Sequence, residues 1–489
     1  MVSALVKGRT AFTNHSGSAS SFLILSSGQD LNDLCLSSAS IIELSSLRCV
    51  LLSLCVILLV PHSVLAQEPF EKKPSKESSS QPQHNQDLPV QTNEENRAEA
   101  EEAEVKEEAF KSLFVQGHYT FIPVPVFHYT RNESYWAGVA LPILQSNEKD
   151  ELLKIYAPFY THNRYVGETI GLYHYGYPSD TAQYSVTADY STKIQRDIDL
   201  TYKNVGVGGG RFILAGRLNW FKNPFRRLFG IGNQTVESDE TTYTSNEGLI
   251  DLTAGIHFNE DLALMFTEHY HQIRIAQGVV ETLPQAQTQF AQLTGMQGAD
   301  ILGHKLTVRY DTRDKQLITT RGTYATLSVE LNHNFKHPEP SQWVRTVVDA
   351  RHFVPHYNDQ LTFVARFLGD TVNGNNIPFY ELPMLGGETT LRGFGQNRFI
   401  DNTAIALNLE ERIPVRQQKL LDYLLDLEVA PFVDIGRVMS GLSVKDLKDF
   451  QVNPGFGLRI LAKPNVVGRF DIAYGRDGVN FFVGLDYPF

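Results

Sequence analysis

The chain of 489 residues contains only three cysteines, and long apolar runs are missing from most of its length. Cys35, Cys49 and Cys55 all lie before residue 66, so a chain processed there would have no disulfide, thiol nucleophile or thiolate metal site. No run of about 20 apolar residues follows residue 66, which argues against a polytopic helical membrane protein. Basic residues are scarce as well, and the net charge of −12 argues against a nucleic-acid partner, which would require a basic surface.

Motifs of catalysis and cofactor binding are also missing. The sequence has no GxSxG nucleophile elbow, no phosphate-binding loop and no HExxH zinc motif. His269 and His271 are two residues apart, which would put them on one face of a strand, but no clear third ligand accompanies them. Such a pair is more typical of an ordinary strand than of a metal site. We therefore predict that the protein is not an enzyme and has no catalytic residue, metal or cofactor.

The clearest apolar run lies near the amino terminus, at residues 50–60. A basic residue precedes the run and the small residue Ala66 follows it, a pattern typical of a secretory signal peptide cleaved after Ala66. The alternative is a single membrane anchor, but the run is too short to span a bilayer comfortably. Residues 1–47 form an unusually long polar extension for a signal peptide. We expect translation to begin near residues 44–50, which makes residues 1–66 a signal peptide with a spurious extension.

Residues 67–112 form an acidic linker with twelve acidic and six basic residues. This composition cannot bury enough apolar surface to offset the entropy lost on ordering. We predict disorder over residues 67–94 and a candidate short helix over residues 95–110. A solvated linker is favoured over a partner-binding segment. The segment is also too short and too polar for a folded periplasmic domain.

From residue 113 to residue 489 the chain alternates apolar and polar residues with a period of two. Leu306, Val308 and Tyr310, for example, lie between polar or charged neighbours. In a soluble sandwich the apolar face would form the core, but here the polar face is unusually charged and no helical layer follows. A membrane barrel explains both facts, because its apolar face meets lipid and its charged face lines the interior.

The predicted fold is therefore all-β: a transmembrane antiparallel β-barrel in the bacterial outer membrane, with a disordered amino-terminal tail. At roughly 23 residues per strand and its share of loop, residues 113–489 give about sixteen strands. Counting segments gives about eighteen, so we expect two of the short pieces between residues 150 and 207 to be strand extensions or loop hairpins.

The last strand carries a terminal pattern of its own. Gly484, Tyr487 and Phe489 resemble the carboxy-terminal signal by which outer-membrane barrels are recognised for insertion. The alternation assigns one face of this strand to Phe481, Val483, Leu485, Tyr487 and Phe489. We expect that face to contact lipid.

The segment from residue 386 to residue 415 is more specific. It contains Leu391-Arg392-Gly393-Phe394, preceded by Gly386 and Gly387. Four further segments occur in a fixed order around it, namely FGIGN (229–233), YDTRD (310–314), NxExRxP (408–414) and FVDIG (432–436). Together these five segments resemble the outer-membrane protein assembly factor superfamily, the barrels of BamA/TamA or bacterial surface antigen type.

The resemblance implies a role for several of these residues. In that family an Arg-Gly-Phe motif lies at the tip of a long extracellular loop that folds back into the barrel. Glu410 and Asp434 match the family's acidic residues that would hold Arg392, and strand parity turns both carboxylates inward. A guanidinium between two carboxylates would fix the loop geometrically, while Gly393 suits a backbone that approaches the wall closely. A glycosidase-type acid pair is disfavoured, because the arginine would keep both carboxyls ionised.

The resemblance also implies a function in outer-membrane biogenesis or in protein or lipid translocation. Family members commonly carry periplasmic POTRA domains before the barrel, which this chain lacks between signal and barrel. A seam between the first strand (118–128) and the last strand (481–489) would open, since Pro123, Pro125 and Pro488 cannot donate ladder hydrogen bonds. Expected partners are outer-membrane lipid and client outer-membrane or periplasmic proteins, and the barrel is expected to be monomeric. A passive pore or a structural surface antigen remains the alternative.

Overall fold

The computed structural model describes residues 115–489 of the chain. Within that range it leaves out residues 122, 149–151, 317, 337–339, 421–422, 442–447 and 463–465. The predicted signal peptide with its extension and the predicted linker of residues 67–112 lie outside the described residues.

Strands make up nearly all of the regular structure. The strands are β1 (Val115–Gln116), β2 (Tyr119–Phe121), β3 (Val124–Thr130), β4 (Ser134–Ala140), β5 (Ile143–Ser146), β6 (Leu152–Asn163), β7 (Gly167–Ser179), β8 (Ala182–Ser191), β9 (Arg196–Gly206), β10 (Phe212–Leu228), β11 (Thr241–His257), β12 (Leu262–Gln277), β13 (Ala299–Asp311), β14 (Gly322–Asn334), β15 (Ser341–His356), β16 (Leu361–Gly374), β17 (Met384–Leu385), β18 (Phe399–Ile400), β19 (Thr403–Leu420), β20 (Tyr423–Met439), β21 (Gln451–Ala462), β22 (Val466–Gly475) and β23 (Gly478–Leu485).

Helical structure is confined to single turns. These are α1 (Val207–Gly210), α2 (Ala286–Gln289) and the 3₁₀ turns Glu237–Asp239 and Phe379–Glu381. Among the residues that the structure describes, none of the helices has the length and apolar character needed to cross a membrane.

Antiparallel pairing between consecutive strands builds one large sheet. It contains 21 of the strands in the described part of the chain, and β17 and β18 form a separate two-stranded sheet. The regular sequence of neighbours is interrupted where β16 pairs with β19, so that the chain between them leaves the wall as a long loop. Consecutive antiparallel pairing of this kind is typical of membrane barrels.

The two faces of the sheet have opposite chemistry. In β13, the side chain of Leu306 is 48% exposed on the outer face, whereas Arg309 on the inner face is fully buried. Apolar side chains such as Leu252 and Phe367 are likewise exposed on the outside. This is the reverse of a soluble protein, and it fits a wall whose outer surface meets lipid and whose inner surface is polar.

The first and last strands of the wall lie side by side. The rings of Tyr129 in β3 and Phe481 in β23 stack with centroids 4.6 Å apart on the outer face. Within the described residues, β3 has its register partner in β4 and β23 has its partner in β22, and no register joins β3 to β23. We call this junction the seam. It is bridged by side chains, including a hydrogen bond between the His128 imidazole and the backbone of Val483.

The predicted number of about sixteen strands is too low. The short pieces between residues 150 and 207 are not loop hairpins, because β6, β7, β8 and β9 pair side by side along the sheet, with one register shift between Gly176 and Ser179 in β7. The first two wall strands are also divided, with Pro142 in the break between β4 and β5. The number of strands was underestimated because the same length of chain was assumed for every strand. The strands between residues 150 and 207 are shorter than the later ones and are joined by tight turns.

The alternating strand directions give the barrel two different ends. At one end, here called the terminal end, most of the described connections are short turns, the connection of residues 312–321 being longer, and both Val115 and Phe489 lie nearby in the topology. The opposite end, here called the loop end, carries the long connections of residues 229–240, 278–298 and 375–402. The last of these is the segment that contains the predicted Arg-Gly-Phe motif.

Candidate functional site

The loop of residues 375–402, here called the inward loop, packs against the inner face of the wall. Pairing of Met384 with Ile400 joins β17 to β18 and forms a neck, beyond which the motif residues turn inward. The side chains of Leu391 and Phe394 are fully buried. They belong to an apolar cluster with wall residues Ala404, Ala406 and Val438 and with Leu368, Leu385 and Phe399.

Arg392 is held from two sides by wall carboxylates. Its Nε and Nη2 atoms donate to the two carboxylate oxygens of Asp434, each at 2.9 Å, and its Nη1 donates to Glu410 Oε2 at 2.8 Å. The backbone N–H of Arg392 also donates to Asp434, at 3.0 Å. The Arg392 side chain is 1% exposed and both carboxylates are fully buried. Asp434 in β20 and Glu410 in β19 thus fix the loop through main chain and side chain together.

The same carboxylates are part of a larger charge network. Glu410 also contacts Arg412 at 3.2 Å and Arg459 at 3.3 Å, and Arg459 pairs with Asp471 at 2.8 Å. Buried charges are tolerated only when they are paired in this way. The predicted inward orientation of Glu410 is therefore seen in a site where three guanidinium groups surround one carboxylate.

Wall side chains also bind the backbone of the inward loop. Asn408 Nδ2 donates to the Thr390 carbonyl and Arg366 Nη1 donates to the Thr389 carbonyl, both at 2.6 Å. On the far side, Asn480 Nδ2 in β23 donates to the Phe394 carbonyl at 2.8 Å. Because these donors come from separate strands, the loop is fastened across a wide part of the wall.

The predicted glycines have two distinct physical roles. Gly386 and Gly387 adopt φ values of +117° and +102°, which L side chains rarely tolerate. Gly393 is required by close approach instead, since a Cβ there would lie 2.4 Å from Asn453 Nδ2 and 2.9 Å from the Tyr474 carbonyl oxygen. The loop can therefore reach the wall only because residue 393 has no side chain.

Aromatic rings complete the packing around the motif. The guanidinium of Arg392 lies 3.3 Å from the ring centroid of Phe432, a cation–π contact that adds to its ion pairs. Phe394 makes an edge-to-face contact with Phe399 at 4.8 Å. Phe432 belongs to the FVDIG segment, so two of the segments matched in the sequence meet at this arginine.

The carboxy-terminal residues do not share one face, contrary to the prediction. β23 ends at Leu485, and Asp486 has a φ of +63°, which breaks the two-residue alternation and turns the chain inward. The Tyr487 hydroxyl donates to Glu428 on the inner face at 3.1 Å. Phe489 is buried beside Phe353 and Val364.

The structure brings this tail close to the inward loop. The Phe489 ring centroid lies 5.5 Å from the Arg392 guanidinium. A Cβ on Gly484 would lie 3.6 Å from Glu388 of the loop. The proposed role of Gly484, Tyr487 and Phe489 as an insertion signal stays a prediction.

One residue of the site, Arg398, was not identified from the sequence. Its Nε donates to Asp477 Oδ2 at 2.6 Å, its Nη1 donates to Thr235 Oγ1 at 2.8 Å, and its side chain is 2% exposed. The guanidinium also lies 4.2 Å from the ring centroid of Phe229. Phe229 is the first residue of the FGIGN segment. The sequence signal that could have identified Arg398 was therefore an arginine close to the Arg-Gly-Phe motif, taken together with the FGIGN segment.

A histidine forms another link between the wall and the inward loop. His271 lies between Glu247 of β11, at 3.0 Å, and Glu381 of the loop, at 2.9 Å. A carboxylate oxygen thus lies within hydrogen-bonding distance of each ring nitrogen, one from the wall and one from the loop. Among the described residues, no group of three or more His, Cys, Asp or Glu has the geometry to hold a metal ion.

Comparisons with known proteins give a family and several similar folds. The Omp85 superfamily domain matches residues 181–482 of the chain. No curated protein matches it. Among solved structures, BamA from Haemophilus ducreyi lacking POTRA domains 1–3 is 13% identical with a TM-score of 0.48, and the match covers 79% of this chain and 78% of that one.

Two solved CdiB structures are also similar. CdiB from Escherichia coli is 13% identical with a TM-score of 0.46, covering 68% of this chain and 62% of that one. CdiB from Acinetobacter baumannii is 12% identical with a TM-score of 0.42, covering 76% and 60%. The chain thus spans about three-fifths of each CdiB chain. The family assignment rests on the sequence match, which covers more than half of the chain. The protein belongs to the Omp85 superfamily and is a β-barrel protein of the bacterial outer membrane.

Proposed function

We propose that this barrel acts in outer-membrane biogenesis, by assembling or translocating outer-membrane proteins or lipid through a seam that opens between β3 and β23. The proposal rests on the buried ion pairs of Arg392 with Glu410 and Asp434. Those contacts fix the inward loop inside the barrel. A wide passive channel has no need of such a buried and fully paired arginine.

The seam supports the proposal independently. Pro125 lies within β3 and cannot donate a ladder hydrogen bond to a neighbouring strand. Pro488 lies beyond the end of β23 at Leu485 and takes no part in the seam, so the predicted contribution of this proline is withdrawn. With no register between β3 and β23 in the described residues, side-chain contacts are what hold the two edges together. Such an edge can separate at lower cost than a continuous ladder.

The chain is proposed to act without catalysis. Glu410 is engaged by Arg392, Arg412 and Arg459, which leaves its carboxylate ionised and unsuited to donate a proton. The proposed partners are outer-membrane lipid and client proteins that pass the seam.

The decisive experiment is depletion of the protein in its native bacterium, followed by complementation. We expect depletion to lower the levels of other outer-membrane proteins or to alter the lipid composition of the outer leaflet, and wild-type protein to restore both. Arg392→Gln should restore them poorly. The matched control is Arg217→Gln, because Arg217 of β10 pairs with Asp199 of the neighbouring wall strand β9 at 2.9 Å.

The alternative function is a passive pore or a structural surface antigen. Conductance in planar bilayers separates it from the proposal. We expect the wild-type barrel to be nearly closed and Arg392→Ala to raise conductance or its fluctuations. A wide, steady conductance that Arg392→Ala leaves unchanged, together with unchanged outer-membrane protein and lipid levels on depletion, would favour the passive pore.

A further inference from the structure

A cluster of polar residues at the loop end links both edges of the seam to the inward loop. It consists of turn residues next to β3, turn residues next to β23, and the part of the inward loop that follows the motif. We call it the clasp, and its members are Arg131, Asn132, Gln396, Arg398 and Asp477.

The strongest contact of the clasp joins the inward loop to the last hairpin. Arg398 Nε donates to Asp477 Oδ2 at 2.6 Å, and the two side chains are 2% and 7% exposed. Asp477 lies in the tight turn between β22 and β23. A short ion pair that is shielded from water is stronger than an exposed one, and it positions both partners.

Weaker contacts join the first hairpin to the same group. Asn132 Nδ2 donates to the Gln396 carbonyl at 3.4 Å, and Arg131 Nη1 donates to the Asp477 carbonyl at 3.5 Å. Asn132 and Arg131 lie in the turn between β3 and β4. The two edges of the seam, which share no backbone register, therefore meet at Asp477 and the loop.

A third contact fixes the arginine independently of the seam. Arg398 Nη1 and Nη2 donate to the side chain and carbonyl of Thr235, at 2.8 Å and 2.9 Å. Thr235 belongs to the connection between β10 and β11, far along the sheet from either edge. Arg398 can therefore stay in place when β23 moves. Its pair with Asp477 is then among the contacts that must break, together with the hydrogen bonds from Asn480 to the Phe394 carbonyl and from Arg476 to the Thr235 carbonyl.

We propose that the Arg398–Asp477 pair holds the loop end of the seam closed, and that this task is separate from the anchoring of the loop by Arg392. This proposal rests on the proposed function only for the reason why the seam opens. Whether the pair keeps the seam closed is independent of that function. Loss of Arg398 takes from Asp477 its short ion pair and leaves the longer contact with Arg476 at 3.7 Å, whereas loss of Asp477 leaves Arg398 bonded to the neutral oxygens of Thr235. Both changes weaken the closed state, so the balance shifts toward an open loop end.

Disulfide trapping measures the closure of the seam directly. Tyr129→Cys and Phe481→Cys place thiols where two stacked rings now lie 4.6 Å apart. The natural Cys35, Cys49 and Cys55 are replaced by serine so that they cannot compete. The full-length protein in outer-membrane vesicles is treated with a mild oxidant, and the rate of disulfide formation is followed on gels.

We expect Arg398→Gln and Asp477→Asn each to slow disulfide formation roughly tenfold, because the seam spends less time closed. Arg217→Gln, which removes a wall pair away from the seam, should leave the rate unchanged. A heat-modifiability gel shift reports whether each variant is folded. If Arg398→Gln does not fold, Asp477→Asn provides the same test from the other partner.

Equal trapping rates in wild type and in a folded clasp variant would overturn the proposal. Trapping needs no client, so this result would stand whatever the levels of other outer-membrane proteins. Conversely, slowed trapping with normal outer-membrane protein and lipid levels after depletion would support the clasp and contradict the proposed function.

Discussion

Single residues decide how firmly the inward loop is held, and Arg392 is the clearest case. Three different nitrogen atoms of its guanidinium each donate to a carboxylate. A lysine in the same place would have one nitrogen and could not reproduce this fork. The loop therefore depends on the shape of the arginine as well as on its charge.

Replacement of Arg392 by alanine should destabilise the barrel by roughly 3–5 kcal/mol, because Glu410 and Asp434 lose their shared cation while staying buried. Arg392→Lys should fall between alanine and wild type. The free energy of unfolding is measured by urea titration in detergent micelles with tryptophan fluorescence. Identical unfolding curves for all three proteins would show that the loop is not anchored here.

A second prediction concerns the stability effect of a side chain at Gly393. Gly393→Ala should lower stability by about 1–3 kcal/mol, since the added Cβ collides with Asn453 and with the Tyr474 carbonyl. Gly248→Ala is the matched control, because nothing lies within 4 Å of a Cβ at that position in β11. Thermal unfolding midpoints compare the two variants, and equal midpoints would contradict the close approach.

Glu133, in the turn between β3 and β4, makes stability depend on pH. Burial raises the pKa of its carboxyl to about 8, against an ordinary value of 4.5. The folded state then keeps this proton over a pH range in which the unfolded chain has lost it, so stability falls as pH rises from about 4.5 toward 8. Glu133→Gln should lose less stability than wild type over that range. The free energy of unfolding is measured by urea titration at several pH values. If it changes with pH in the same way in wild type and in Glu133→Gln, the pKa of Glu133 is not raised.

Among the elements, the strands were the easiest to predict. A period of two fixes which side chains share a face, so the outward Leu306 and the inward Arg309 follow from sequence alone. Arg392 and its two acids were named only because several segments resembled a family. The Arg398–Asp477 pair could not be found in this way, because its partners lie 79 residues apart, in two different connections that only the folded chain brings into contact.

The carboxy-terminal tail shows where alternation stops being informative. The pattern from Phe481 to Phe489 is regular in the sequence, yet the left-handed backbone at Asp486 redirects Tyr487 and Phe489 to the interior. One backbone angle is enough to reverse a face, and no residue pattern in this stretch reports it.

Quenching by brominated lipid tests this orientation. In a background with Trp220 replaced by phenylalanine, a tryptophan at Phe481 should be quenched strongly, because that side chain is on the outer face. A tryptophan at Tyr487 should be quenched little, since Tyr487 contacts Glu428 and Arg412 inside the barrel. Equal quenching at both positions would show that Tyr487 faces lipid and would contradict the inward orientation of the tail.

The whole molecule combines a wall of paired strands with a junction, the seam, that has no backbone register among the described residues. Most neighbouring strands are connected by long ladders, and the ladder between β11 and β12 is continuous. The seam between β3 and β23 relies on side chains, and the inward loop touches residues on both of its edges. If the barrel acts on clients or lipid, the seam is where the wall can yield.

Locking the seam tests this central claim most directly. The cysteine pair at Tyr129 and Phe481 is introduced as the only copy of the protein in its native bacterium, and the levels of other outer-membrane proteins and of outer-leaflet lipid are measured. We predict that oxidation lowers these levels and that a reductant restores them, while each single cysteine variant is unaffected. Unchanged protein and lipid levels in cells whose seam is fully cross-linked would contradict it.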